Sequence, residues 1–227
     1  MWWALASRPM RRSIAVLAAG LAVGLVAPLP IALADSGSSG LGSGSASGSG
    51  TGSLSGSGGG TSNLPPYSQW ISDVTTVANA ARTYLTTVLP GKTKPAIVFD
   101  VDNTVLETTY HPGPITPAIP PMLQLAQWAK SQGASLIFVT GRPALLSFYT
   151  QINLSAVGYS VDGLYGGGLT TGSSGAAALA DYKTATRASI EAQGYTIVAN
   201  IGNSDSDLSG GHALQTFKLP DYNGALV

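Results

Sequence analysis

Three short apolar runs, Ala96 to Phe99, Ser135 to Val139 and Thr196 to Ile201, each break off into a polar cluster, and segments with helical spacing separate them. Runs of this length without polar alternation suit strands covered on both faces. Strands that alternate with helices need crossover connections, so the expected fold class is α/β with a parallel sheet. A first helix is expected from Trp70, Ile71, Val74, Val77, Ala78, Ala81, Leu85 and Val88, stopped by Pro90-Gly91. A second starts at Pro120-Pro121 and stops at Gly133, a third covers residues 144–154, and a fourth covers 177–192 ahead of Gly194. Gly166-Gly167-Gly168 lacks the spacing of a nucleotide-binding fingerprint and reads as a loop.

The first part of the chain reads differently. Arg8, Arg11 and Arg12 precede an uncharged apolar run from Ile14 to Ala27, followed by Pro28, Pro30 and the small-residue pattern Ala32-Leu33-Ala34. This predicts a signal peptide over residues 1–34 and a secreted or extracytoplasmic protein, with membrane attachment expected only if the segment stays uncleaved. Residues 35–62 are almost entirely Gly and Ser and read as a flexible linker, which leaves 63–227 as one domain of ordinary size. Eleven Lys+Arg balance eleven Asp+Glu, which argues against a nucleic-acid partner. The absence of cysteine excludes disulfides, thiolate chemistry and Cys-ligated metals.

Only 10% of residues are charged, so a gathering of charge calls for a reason. In a parallel sheet the strand ends emerge at one edge, where ligands bind. That edge should collect Asp100-Val101-Asp102, Thr140-Gly141-Arg142 and Gly202-Asn203-Ser204-Asp205-Ser206-Asp207, with Lys183 and Arg187 nearby. Residues two apart on extended chain point the same way, so Asp100 and Asp102 should both face the crevice. Two such carboxylates need a cation or a shared proton between them. The Thr140 turn suits phosphate oxygens, Lys183 offers a compact positive charge, and Asp205 and Asp207 add oxygen ligands. Together they are equipment for phosphoryl transfer through a carboxylate nucleophile. Arg142 is balanced between touching substrate and pairing with an acid, Arg187 is expected to position an acid, and His111 reads first as a solvated loop residue.

In order and approximate spacing, Asp100-Val101-Asp102-Asn103-Thr104, Thr140-Gly141-Arg142, Lys183 and the loop from Gly202 to Asp207 resemble the four motifs of the haloacid dehalogenase (HAD) superfamily. The surrounding text, FDVDNTVLET, FVTGRP, YKTATR and YTIVANIGNSDSDL, is most similar to the class B/subfamily III acid-phosphatase branch that includes plant vegetative storage proteins. The resemblance implies a three-layer Rossmannoid sheet with a small or absent cap and a Mg²⁺-dependent phosphomonoester hydrolase working through an aspartyl-phosphate. The alternatives are a phosphotransferase using the same intermediate and a non-catalytic storage or binding protein. It implies Asp100 as nucleophile, Asp102 as general acid and base, Thr140 and Lys183 as catalytic supports, and Thr104, Gly141 and Arg142 as substrate contacts. Mg²⁺ would be held by Asp100, Asp102, Asn203 and Asp207, and the partner would be a small phosphomonoester. Asn203 departs from the family, which usually has Asp there, and the lost charge should weaken the metal site.

Overall fold

The computed structural model describes residues 64–226; the expected signal peptide and the whole of the expected linker lie outside the described residues. Five strands form one parallel sheet: β1 (Pro95–Phe99), β2 (Ser135–Pro143), β3 (Gly163–Gly167), β4 (Thr196–Gly202) and β5 (Thr216–Lys218), in the order β3-β2-β1-β4-β5. The helices are α1 (Tyr67–Val88), α2 (Pro120–Ser131), α3 (Ser147–Ala156), α4 (Ala176–Ala192) and the single turn α5 (Asp205–Leu208).

The alternation of side chains along the strands sorts the core into two layers. Ile97 and Phe99 of β1 join Trp70, Leu85, Met122, Leu125, Phe138 and Leu154 in the larger cluster under α1, α2 and α3. Ala96 and Val98 point the other way and pack with Ile137, Val139, Ile197 and Ile190 of α4. Each fully buried large side chain contributes about 1.5–3 kcal/mol. The helix boundaries follow the sequence signals. Trp70, Val74, Ala78, Ala81 and Leu85 make the buried stripe of α1, Pro120 opens α2, and Gly133 and Gly194, both at positive φ, follow the ends of α2 and α4. Among the described residues no helix is long and apolar enough to cross a membrane.

One expectation is corrected. Gly166 and Gly167 belong to β3, an edge strand paired with β2, not to a loop. Strand-forming side chains are excluded at Gly166 because a Cβ there would lie 2.7 Å from Ala144 Cα, so the segment carries no β-pattern in its sequence. The expected third helix also begins differently, as a 3₁₀ turn over Ala144–Leu146 that leads into α3. No cap domain folds between β1 and α2: the stretch after Phe99 is a loop with isolated bridges at Asp102, Leu106 and Ala118.

Candidate active site

The central strands β1, β2 and β4 carry the polar clusters to the same edge of the sheet, and α4 reaches over it from one face. The Asp100 N–H still donates to Ile201 O at 3.0 Å, so strand pairing continues one residue past β1 and fixes where the carboxylate starts. A cavity of about 210 Å³ opens there, lined by Asp100, Asp102, Gly141, Arg142, Lys183 and Asp207 among others. A larger groove of about 360 Å³ near Leu85, Lys92 and Trp128 lies at the other end of the strands and holds no acidic cluster. Chemistry rather than size picks the site.

Lys183 is its electrostatic centre. Its ammonium donates to Asp100 Oδ1 at 2.7 Å and also to Asp207, and all three side chains are buried. Burial alone would lower the Lys183 pKa, but the Asp100 and Asp207 charges outweigh it and hold the ammonium above its ordinary value. Burial first, and then the Asp207 carboxylate, push the Asp100 carboxyl up, against the pull of Lys183. One ammonium between two buried carboxylates leaves one negative charge uncompensated.

Asp100 and Asp102 both face the cavity, as the two-residue spacing predicts, but they do not share a cation. Asp102 takes a forked pair from Arg142, with Nε to Oδ2 at 2.9 Å and Nη2 to Oδ1 at 2.6 Å, and accepts from the Thr108 hydroxyl at 2.7 Å. Burial would raise the Asp102 carboxyl, yet the Arg142 bonds and charge, with Thr108, hold it below the usual carboxylate value. Arg142 thus pairs with Asp102 while also lining the cavity. Thr108 was not singled out in the sequence; its place six residues after Asp102 is the only signal.

Two expected contacts lie behind the cavity wall rather than on it. Thr104 is fully buried, its hydroxyl 3.2 Å from Asp100 Oδ2 and 3.1 Å from Asn203 Oδ1. A hydroxyl has one proton, so it serves these acceptors in turn. Thr140 is buried as well and its oxygen accepts the Arg142 N–H at 3.2 Å. Gly141 lies on the wall, where a Cβ would meet Leu179 Cδ1 at 3.1 Å.

The loop after β4 is fastened from several sides. Ser204 and Asp207 form a capping box on α5, with the Ser204 N–H donating to Asp207 Oδ2 at 2.8 Å. The Asp207 carbonyl accepts from Arg187 Nη1 at 2.7 Å and from Asn200 Nδ2 at 2.8 Å, so Arg187 positions an acidic residue as expected. Gly202 must be glycine here, since a Cβ would fall 2.3 Å from Asp207 Cβ. Asp205, expected to add an oxygen ligand, is instead exposed at 3.7 Å from Lys218. His111 pairs with Glu107, away from the cavity lining.

The donor set fits a hard divalent cation, because Asp100 and Asp207 would offer it carboxylate oxygens whose combined charge exceeds that of the one ammonium between them. Among the described residues no three Asp, Glu, His or Cys side chains converge to hold a metal alone. Such a cation would therefore draw on neutral oxygens, the Asp102 carbonyl and the Asn203 amide.

Residues 114–225 match a family model described as HAD superfamily, subfamily IIIB (acid phosphatase), a match that starts after the Asp100 cluster and takes in Thr140, Lys183, Asn203 and Asp207. Two glycoproteins of Glycine max, the stem 28 kDa and stem 31 kDa glycoproteins, are each 38% identical over 108 residues. That is 46% of this chain, and 42% and 36% of theirs, so the chain matches well under half the length of these curated relatives. Among solved structures, the class C acid phosphatase from Bacillus anthracis superposes with a TM-score of 0.54 at 19% identity, covering 70% of this chain and 83% of that one. Its tungstate-bound form gives the same TM-score at 18% identity, with 72% and 86% covered. The parallel sheet and the later three of the ordered motifs agree with that match, so residues 114–225 are similar to the subfamily IIIB acid phosphatases of the HAD superfamily.

Proposed function

We propose that the domain is an exported, Mg²⁺-dependent phosphomonoester hydrolase that works through an aspartyl-phosphate on Asp100. The observation that carries this reading is the buried Asp100–Lys183–Asp207 cluster at the open end of β1, where a nucleophile, its counter-charge and a second oxygen ligand meet. The tungstate form of a solved neighbour adds an oxyanion to the same fold.

In the first step an Asp100 oxygen bonds to phosphorus, the ester P–O bond breaks, and the leaving oxygen takes a proton from Asp102. In the second, water attacks the acyl-phosphate and gives its proton to Asp102, which releases phosphate and restores the Asp100 carboxylate. Lys183 stays beside Asp100 throughout and compensates charge that builds on the transferring group. Asp102 is ionised while Arg142 grips it, so the acid step requires that grip to loosen. An incoming phosphate gives the guanidinium another bidentate partner. A divalent cation held by Asp100, the Asp102 carbonyl, Asn203 and Asp207 would add positive charge beside the phosphoryl oxygens.

The direct test uses the purified domain and a generic aryl phosphate. Turnover should require added Mg²⁺, vanish with a chelator and return on adding excess metal. A metal-loaded protein inert toward a broad panel of phosphate esters would instead favour the storage or binding reading. Phosphorylated alcohols formed when alcohols are added would favour the transferase. Export rests on residues 1–34 and is checked by N-terminal sequencing of the mature protein, expected to begin at Asp35; an intact Met1 would overturn it.

A further inference from the structure

We infer that the Asp221–Leu226 turn is a fixed wall of the catalytic cavity, held by the side-chain amides of Asn103 and Asn203, and that this contact is why position 203 carries an amide. Both amides converge on one atom: Asn103 Nδ2 donates to Leu226 O at 2.9 Å and Asn203 Nδ2 donates to it at 2.6 Å. A carbonyl oxygen has two lone pairs and can only accept, so each side chain must turn its nitrogen toward Leu226. The oxygens are then aimed elsewhere. Asn103 Oδ1 accepts the Thr109 N–H at 2.9 Å, and Asn203 Oδ1 faces the Thr104 hydroxyl and, past it, Asp100.

A carboxylate at 203 would set one of its oxygens against the Leu226 carbonyl with no proton between them. The amide that lowers the formal charge of the site is thus what closes one side of it. Leu226 is 1% exposed and lines the cavity together with Asn103 and Asn203. Asn103 also suits its φ of 53°, a left-handed conformation that Asn and Asp tolerate better than other side chains. The rest of the turn is pinned independently. Lys218 Nζ donates to the Asn203 carbonyl and to Asp221, both at 2.6 Å, and the Tyr222 hydroxyl donates to Asp73 at 2.7 Å.

The inference does not depend on the proposed activity, and amide hydrogen exchange on the metal-free chain tests it. The Ala225 and Leu226 N–H groups, which donate to Tyr222 O and Asp221 O, should be protected in the wild type. Asn103→Asp and Asn203→Asp keep the shape of the side chain and one accepting oxygen. Each should speed exchange at those two amides by about tenfold or more, the equivalent of one lost buried hydrogen bond, while β4 and β5 keep wild-type rates. Unprotected amides at 225 and 226 in the wild type would overturn the inference by themselves. So would wild-type rates in both variants, or a loss in both that spreads equally through β4 and β5. If Asn203→Asp fails to fold, Asn103→Asp, which sits away from the β4 loop, decides.

Discussion

Asp100→Asn is expected to lower turnover of an aryl phosphate by about 10⁴-fold or more, because it removes the attacking oxygen and leaves the rest of the cavity in place. The fold should not suffer. The Asp100 carboxyl is pushed above its ordinary value by burial and by Asp207, so in its ionised form it works against folding. The sign follows from linkage: an acid with a raised folded-state pKa stabilises while protonated and loses that contribution as pH climbs through the raised value. At neutral pH the amide should therefore melt at or above the wild-type temperature in metal-free buffer, and its oxygen can still accept from Lys183. Near-wild-type turnover would eliminate covalent catalysis at this residue, whereas a lower melting temperature would mean that Asp100 holds the site together rather than straining it.

Lys183→Met should produce the largest loss of stability of any single change at the site, about 3–5 kcal/mol near pH 8, since it strands two buried carboxylates. The pH dependence discriminates this from a packing defect. In the wild type the Lys183 pKa is raised, so its contribution is complete below the ordinary lysine value and is lost only as pH rises through the elevated one, well into the alkaline range. Without the ammonium, Asp100 loses the charge that pulls its pKa down and keeps its proton more readily, so the deficit should shrink as pH falls. Urea denaturation of both proteins at pH 8 and pH 5 makes the comparison. A deficit equal at both values, or larger at pH 5, would contradict the shared-ammonium account.

Much of this was readable in the chain because β1, β2 and β4 are buried on both faces and so read as unbroken apolar runs. Once they are parallel, geometry alone gathers Asp100, the Thr140 turn and the Asn203 loop, whatever their distance in sequence. β3 and β5 escaped for opposite reasons. β3 is spelled Gly-Leu-Tyr-Gly-Gly because the Ala144 backbone crowds Gly166 and the Ile137 and Thr171 side chains crowd Gly163 and Gly167, and β5 is only Thr216–Lys218, too short to show a period. Both exist through pairing with a neighbour strand rather than through local preference. The partner choices were also hidden. Nothing in the spacing of Asp102 and Arg142, forty residues apart, separates an ion pair from two independent substrate contacts. The role of the Leu226 carbonyl was still less accessible, because a backbone acceptor leaves its mark on the distant Asn103 and Asn203 and none on the residue that carries it.

Lys183 and Arg187 stand one turn apart on α4, and both reach the acidic loop after β4, one through a side chain and one through the backbone. Sliding that helix by a single residue would swing both groups away by about 100° at once. Drift of sequence on its solvent side is cheap, but its seating against the sheet has almost no tolerance. The working lifetime of the molecule on heating should accordingly be set by how long this one cylinder stays in place.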